Sequence, residues 1–138
     1  MREVIVQGIR AAGPLGEAVM MLKEKDGVRM IHIRIGTVEA YAISIALEQI
    51  LFPRPLTHDL FLIALGKFGA RLKSATITGL ALNTFFATLA FAHDTGGIEL
   101  DARPSDGVAL ALRAGAPIFA ADELFELGVG GGPESPQP

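Results

Sequence analysis

The chain contains no cysteine among its 138 residues. This absence excludes disulfides, thiolate zinc sites and a cysteine nucleophile in one step. It is also compatible with a reducing compartment, and we expect a cytoplasmic protein.

The sequence also lacks a long apolar run, although 50% of its residues are hydrophobic. Its longest apolar stretches, Val38–Phe52 and Phe85–Ala92, are interrupted by polar residues and fall short of the ~20 residues of a membrane span. The first apolar run breaks at Gln7, too early for a secretion signal. We therefore expect no membrane segment. The apolar excess favours a homo-oligomer in which apolar surface is buried between subunits, and a dimer is the favoured form.

The sequence also lacks a continuous run of basic residues. The formal net charge is −3, and the arginines and lysines are scattered along the chain. Strong nonspecific binding of nucleic acid normally needs a basic face. If single-stranded nucleic acid is a partner, we expect weak binding.

The length predicts one domain, and the hydrophobic periodicity predicts an α+β fold. Two βββαα-like halves would give a mostly antiparallel sheet packed with four helices. Ala42–Leu47 resembles Gly107–Leu112, which suggests an internal duplication. We place the domain at residues 1–128 and a disordered tail rich in Gly and Pro at 129–138. The predicted strands are Val4–Arg10, Glu17–Lys25, Val28–Ile35, Arg71–Gly79, Thr84–His93 and Gly97–Ala102, and the predicted helices are Thr37–Leu51, Thr57–Phe68, Ser105–Ala114 and Asp122–Leu127.

Polar side chains that could carry chemistry gather first in the segment Pro53–Asp59. The prolines hold Arg54 on a stiff loop, and Thr57 is expected to cap a helix whose first turn carries His58 and Asp59. Such a group can form an anion pocket with a general base. It can equally be a capped helix with an arginine paired to Asp59.

A second group follows the strand that ends near residue 102. Asp101 and Asp106 flank Arg103, Pro104 and Ser105 at a predicted helix start. Paired carboxylates can hold Mg²⁺ or Mn²⁺ and activate water at a phosphodiester. Alternatively, Arg103 neutralises one of them and leaves no metal site. Glu39 lies in the first turn of another predicted helix, where a carboxylate favours the helix dipole.

These motifs resemble the bifunctional nuclease (BFN) domain family over about residues 1 to 128. The segments that carry the resemblance are Ile33–Gly36 with Glu39–Ala40, Pro53–Asp59, Asp101–Asp106 and Pro117–Phe119. The sequence departs from the family at three positions: His32 replaces a usual proline, Arg34 a usual aromatic residue and Gly107 a usual alanine. The resemblance implies an α+β bacterial domain and a nuclease that acts on RNA and DNA.

Two hypotheses follow for the function. In the first, a metal-dependent phosphodiesterase uses His58, Asp59, Asp101 and Asp106 as catalytic residues. Asp59, Asp101, Asp106 and Glu39 would hold Mg²⁺ or Mn²⁺, and Arg54, Arg103 and Ser105 would bind the substrate. In the second, the chain is a non-catalytic oligomeric module that binds a protein partner or a small anion, and the same residues form a structural ion-pair network.

Overall fold

The structure, a computed structural model, describes residues 1–127. In this part of the chain, four helices pack on a curled sheet of seven strands, which confirms the α+β prediction. The predicted tail at 129–138 lies outside the described residues. The strands are β1 (Arg2–Ala11), β2 (Ala18–Glu24), β3 (Met30–Ile35), β4 (Arg71–Ala81), β5 (Thr84–Ala92), β6 (Ile98–Ala102) and β7 (Ile118–Ala120), and the helices are α1 (Thr37–Leu47), α2 (Thr57–Lys67), α3 (Pro104–Ala114) and α4 (Asp122–Leu127).

The first three strands form an antiparallel meander. In β3, the side chains of Ile31, Ile33 and Ile35 are buried, and the residues between them are only partly covered. This alternation gives one strand face to the core, as the period of two predicts.

Strands β4, β5 and β6 form a second antiparallel meander. The turn between β4 and β5 consists of Leu82 and Asn83, both with positive φ, and pairs Ala81 with Thr84. Two residues with positive φ match the twist of a tight hairpin. Strand β4 therefore extends two residues beyond its predicted end.

The two meanders meet at the short strand β7, which the sequence analysis did not predict. The strand order is β3-β2-β1-β7-β4-β5-β6. Strand β7 pairs antiparallel with β1 and parallel with β4. The internal duplication is not confirmed, because the second half carries this extra strand and α4 spans 6 residues where α2 spans 11.

Helix α3 lies at the centre of the core. Its residues Gly107 to Ala111 are buried, and it contacts β4, β5, α1 and α2. Helix α1 ends at Leu47, earlier than predicted, and Gln49 follows it with a φ of 54°. Because α3 touches both neighbouring helices, it positions the polar residues at their starts.

Within residues 1–127, no helix has both the length and the apolar character needed to cross a membrane.

Candidate functional site

The first turns of three helices supply the polar residues of the candidate site. Glu39 lies in the first turn of α1, His58 and Asp59 in that of α2, and Asp106 in that of α3. Carboxylates are favoured at helix N-termini, where the backbone amides carry partial positive charge. Pro104 starts α3 because its fixed φ and missing N–H suit the first helical position.

Four of these polar side chains form one hydrogen-bonded group, which we call the acid–base cluster: Glu39, His58, Arg103 and Asp106. Arg103 donates from Nε to Asp106 Oδ2 at 2.8 Å and from its terminal nitrogens to Asp106 Oδ1 at 3.2 Å and Glu39 Oε2 at 3.3 Å. His58 Nε2 lies 3.0 Å from Asp106 Oδ1. The cluster therefore joins all three helices.

Asp106 is ionised at neutral pH. The hydrogen bond from His58, reinforced by Arg103, lowers the pKa of the Asp106 carboxyl to about 2, although partial burial opposes that shift. The same ion pair raises the pKa of the Arg103 guanidinium. An ionised carboxylate can only accept a hydrogen bond, so His58 donates from Nε2 and leaves its lone pair on Nδ1 when the ring is neutral.

Asp59 belongs to a separate ion pair with Arg113. Arg113 donates from Nε to Asp59 Oδ1 at 2.9 Å and from its terminal nitrogens to the carbonyls of Ala109 and Ala42. The Arg113 side chain is only 8% exposed, while that of Asp59 is 39% exposed. The other Asp59 oxygen accepts from the backbone N–H of Leu56 at 3.0 Å. This geometry fastens the start of α2 to α1 and α3.

One detail of the Pro53–Asp59 prediction, the residue at the start of the helix, is wrong. Leu56, not Thr57, is the residue that precedes the helix, and the Asp59 side chain reaches back to its amide. The arginine paired with Asp59 is Arg113, whereas Arg54 donates to the carbonyl of Pro53. Arg54 instead lines the neighbouring depression that also contains Asp59 and Arg113.

The structure does not bring Asp101 into the cluster. Asp101 lies in β6 opposite Thr88, with an exposed side chain that forms no hydrogen bond or ion pair with another residue in 1–127. Its strand neighbours Leu100 and Ala102 occupy the opposite face of the sheet, so Asp101 faces away from α3. Ser105 is 6% exposed at the start of α3, beside Arg103.

The carboxylates do not fit a divalent cation in this arrangement. Across residues 1–127, no group of three or more His, Asp or Glu side chains is placed to hold a metal ion. Asp106 and Glu39 share the guanidinium of Arg103, and Asp59 is matched by Arg113. Their oxygens already serve as acceptors for cationic donors, so Mg²⁺ or Mn²⁺ would have to displace those contacts.

An open cavity of about 580 Å³ borders the cluster. His58, Arg103 and Asp106 line it together with Tyr41 and Pro55. The exposed fractions are 21% for the His58 side chain and 64% for that of Arg103. A small polar ligand in this cavity can therefore meet an imidazole and a guanidinium at the same wall.

Sequence reasoning missed two residues of this region, Tyr41 and Arg113. Arg113 is seven residues after Asp106, which places the two on one face of α3. That spacing was the available signal for Arg113. Tyr41 lies in the second turn of α1, and its exposure of 60% beside the cavity depends on the tertiary packing.

The comparisons with known proteins agree with the motifs. The bifunctional nuclease domain matches residues 20–128, and the chain belongs to this family. Two similar proteins come from Mycobacterium tuberculosis: "Uncharacterized protein MT1877" of strain CDC 1551 / Oshkosh and "Uncharacterized protein Rv1829" of strain ATCC 25618 / H37Rv. Each is 43% identical to this chain over 125 residues, which cover 91% of this chain and 74% of the relative.

Proposed function

We propose that this domain cleaves phosphodiester bonds in nucleic acid, with His58 as the residue that moves the proton. The observation that carries the proposal is the contact of 3.0 Å between His58 Nε2 and the ionised Asp106, at the wall of an open cavity. A carboxylate that orients an imidazole is a recurrent way to prepare a general base. Membership of the nuclease family supports the choice of substrate.

The chemistry assigned to each residue follows from its hydrogen bonds. Asp106 holds the Nε2–H of His58, so Nδ1 is free to take a proton from an attacking hydroxyl, either water or the ribose 2′-hydroxyl of RNA. The new P–O bond forms as the bond to the leaving oxygen breaks, and that oxygen takes up a proton from water. Arg103 keeps two N–H groups beyond its three hydrogen bonds, and these suit a phosphate oxygen.

No step of this proposal passes through a metal ion. The implied Mg²⁺ or Mn²⁺ stays a prediction, and thermal melting with Mn²⁺ or with EDTA tests it directly. A bound ion raises the melting temperature according to its concentration relative to Kd. Asp106→Asn should abolish such a shift if that carboxylate is a ligand.

The test of the proposed reaction is His58→Gln against labelled single-stranded RNA and DNA. We expect the rate to fall by about 10²- to 10⁴-fold, the usual contribution of one acid–base group. His93→Gln is the matched control, because His93 lies outside the cluster and bonds Thr95 and the carbonyl of Phe68. Equal cleavage by wild type and His58→Gln would show that the activity is a contaminant or uses other residues.

The second candidate is a non-catalytic binding module, for a protein partner or a small anion, with a structural ion-pair network. It is favoured by one observation: Glu39, Asp59 and Asp106 each contact an arginine. In that case wild type cleaves neither RNA nor DNA, with or without Mn²⁺, while Asp106→Asn lowers the free energy of unfolding. The two candidates therefore differ in the wild-type assay itself.

A further inference from the structure

Three depressions lie side by side along α1 and form what we call the α1 groove. The central one is the cavity of about 580 Å³ beside His58. It shares Ile45, Pro55 and Arg113 with a depression of about 640 Å³, and Glu39 and Arg103 with another of about 480 Å³. Because the neighbouring depressions have walls in common, the groove can accept an extended chain.

Tyr41 stands in the middle of the α1 groove. It lines the central depression with Val38, Ala42 and Ile45, a spacing that places all four on one face of α1. Tyr41 as a residue is 60% exposed, and its hydroxyl forms no hydrogen bond with a residue of the described range 1–127. An aromatic ring in this position is open to stacking by a flat ligand.

The charges along the groove differ from those of the whole chain. Four arginines line the three depressions, against three carboxylates, whereas the chain carries a net charge of −3. Arg103 and Arg113 are paired with carboxylates, as described above. Arg54 lines one outer depression and Arg34 the other, and neither forms an ion pair within the described residues. The groove thus carries an excess of positive charge over negative charge, which suits a phosphate backbone.

We propose that the α1 groove binds single-stranded nucleic acid and that Tyr41 stacks on one of its bases. This inference rests on the proposed function and names a binding residue for it. Proteins that hold single strands combine a positively charged groove with exposed aromatic rings, and stacking tolerates any base. A base on Tyr41 would place the adjoining phosphate within the same depression as His58 and Arg103.

The chain provides its own probe for this contact. It contains one tyrosine and no tryptophan, so its tyrosine emission comes from Tyr41 alone. We expect hexathymidylate to quench this emission on binding, after correction for absorbed light. An abasic strand of the same length, which offers phosphates without bases, should leave it unchanged. Emission that stays constant while hexathymidylate binds would overturn the proposal, as would a failure of every oligonucleotide to bind.

Affinity measurements with a labelled oligonucleotide supply the second test. Tyr41→Ala should weaken binding between about fivefold and a hundredfold, the range for loss of one stacked base, and Tyr41→Phe should retain it. Phe68→Ala is the matched control, because Phe68 is an aromatic residue 79% exposed at the end of α2 and outside the groove. Equal affinity of Tyr41→Ala and wild type would contradict the inference.

His58→Gln separates this inference from the proposed reaction. If this variant loses cleavage and retains the quenching of Tyr41, both proposals are supported. Quenching without cleavage by wild type would refute the proposed function alone. Cleavage with no effect of Tyr41→Ala on affinity or KM would refute the inference alone.

Discussion

Replacement of Arg113 is the most direct test of how the ion pairs near the site stabilise the fold. We consider Arg113→Met, which retains an unbranched apolar stem and removes the guanidinium. The change breaks the ion pair with Asp59 and two hydrogen bonds to the carbonyls of Ala42 and Ala109. Removing one partner of a buried pair commonly costs about 3–5 kcal/mol.

The structure sets the cost of Arg113→Met below that range. Asp59 is 39% exposed and retains its hydrogen bond from the Leu56 amide, so water can solvate the carboxylate that is left behind. We therefore expect a loss of about 2–3 kcal/mol in the free energy of unfolding, typical of a charge-assisted hydrogen bond.

Asp59→Asn should cost more than Arg113→Met. It leaves the guanidinium of Arg113 unpaired at 8% exposure, where solvation is poor. Loss of the more exposed partner, Asp59, should thus cost more stability than loss of the buried partner, Arg113. A double-mutant cycle measures the interaction energy of the pair itself.

Urea unfolding with comparison of slopes and midpoints is the appropriate assay. Arg71→Met is the matched control, because Arg71 is exposed on β4 and forms no ion pair within residues 1–127. We expect it to change stability by less than about 0.5 kcal/mol. A smaller loss for Asp59→Asn than for Arg113→Met would refute the burial argument.

Two further predictions concern α3. Gly107→Ala should stabilise the fold by about 1 kcal/mol in urea unfolding, because glycine is unfavourable inside a helix. The new Cβ would meet Ala75 and Leu89 at an ordinary contact distance of 3.5 Å. A loss of stability would show that the core has no space for this methyl group. Asp106 should make unfolding acid-sensitive: its folded pKa of about 2 lies below the ordinary carboxyl value of 3.8, so its stabilisation is present above about pH 4 and disappears as the pH falls towards 2. Asp106→Asn should weaken the dependence of the melting temperature on pH over this interval. An unchanged pH dependence in this variant would contradict the role given to Asp106.

Periodicity predicted the strands and helices that carry strong local signals. The alternation in β3 predicts a strand with one buried face, and the apolar pattern of α3 predicts a buried helix. The weak cases are the turn at Leu82 and Asn83, which lacks a glycine, and β7, whose three residues are too few to show a period. Their structure depends on the strands beside them.

The motifs placed most candidate residues near one another but did not specify their partners. Glu39, His58, Arg103 and Asp106 form one cluster, although they come from three separate segments of the sequence. Asp101 does not join it, since the alternation of β6 turns its side chain to the other face. Which arginine pairs with which carboxylate depends on how the helices cross, and local sequence patterns do not encode that crossing.

Strand β7 has a consequence for biosynthesis. It contributes residues 118 to 120, and in the described part of the chain it is the strand that pairs with both β1 and β4. A growing polypeptide cannot join its two meanders until those residues have left the ribosome. During translation the edges of β1 and β4 that pair with β7 therefore lack a strand partner, and unpaired strand edges favour aggregation of newly made chains.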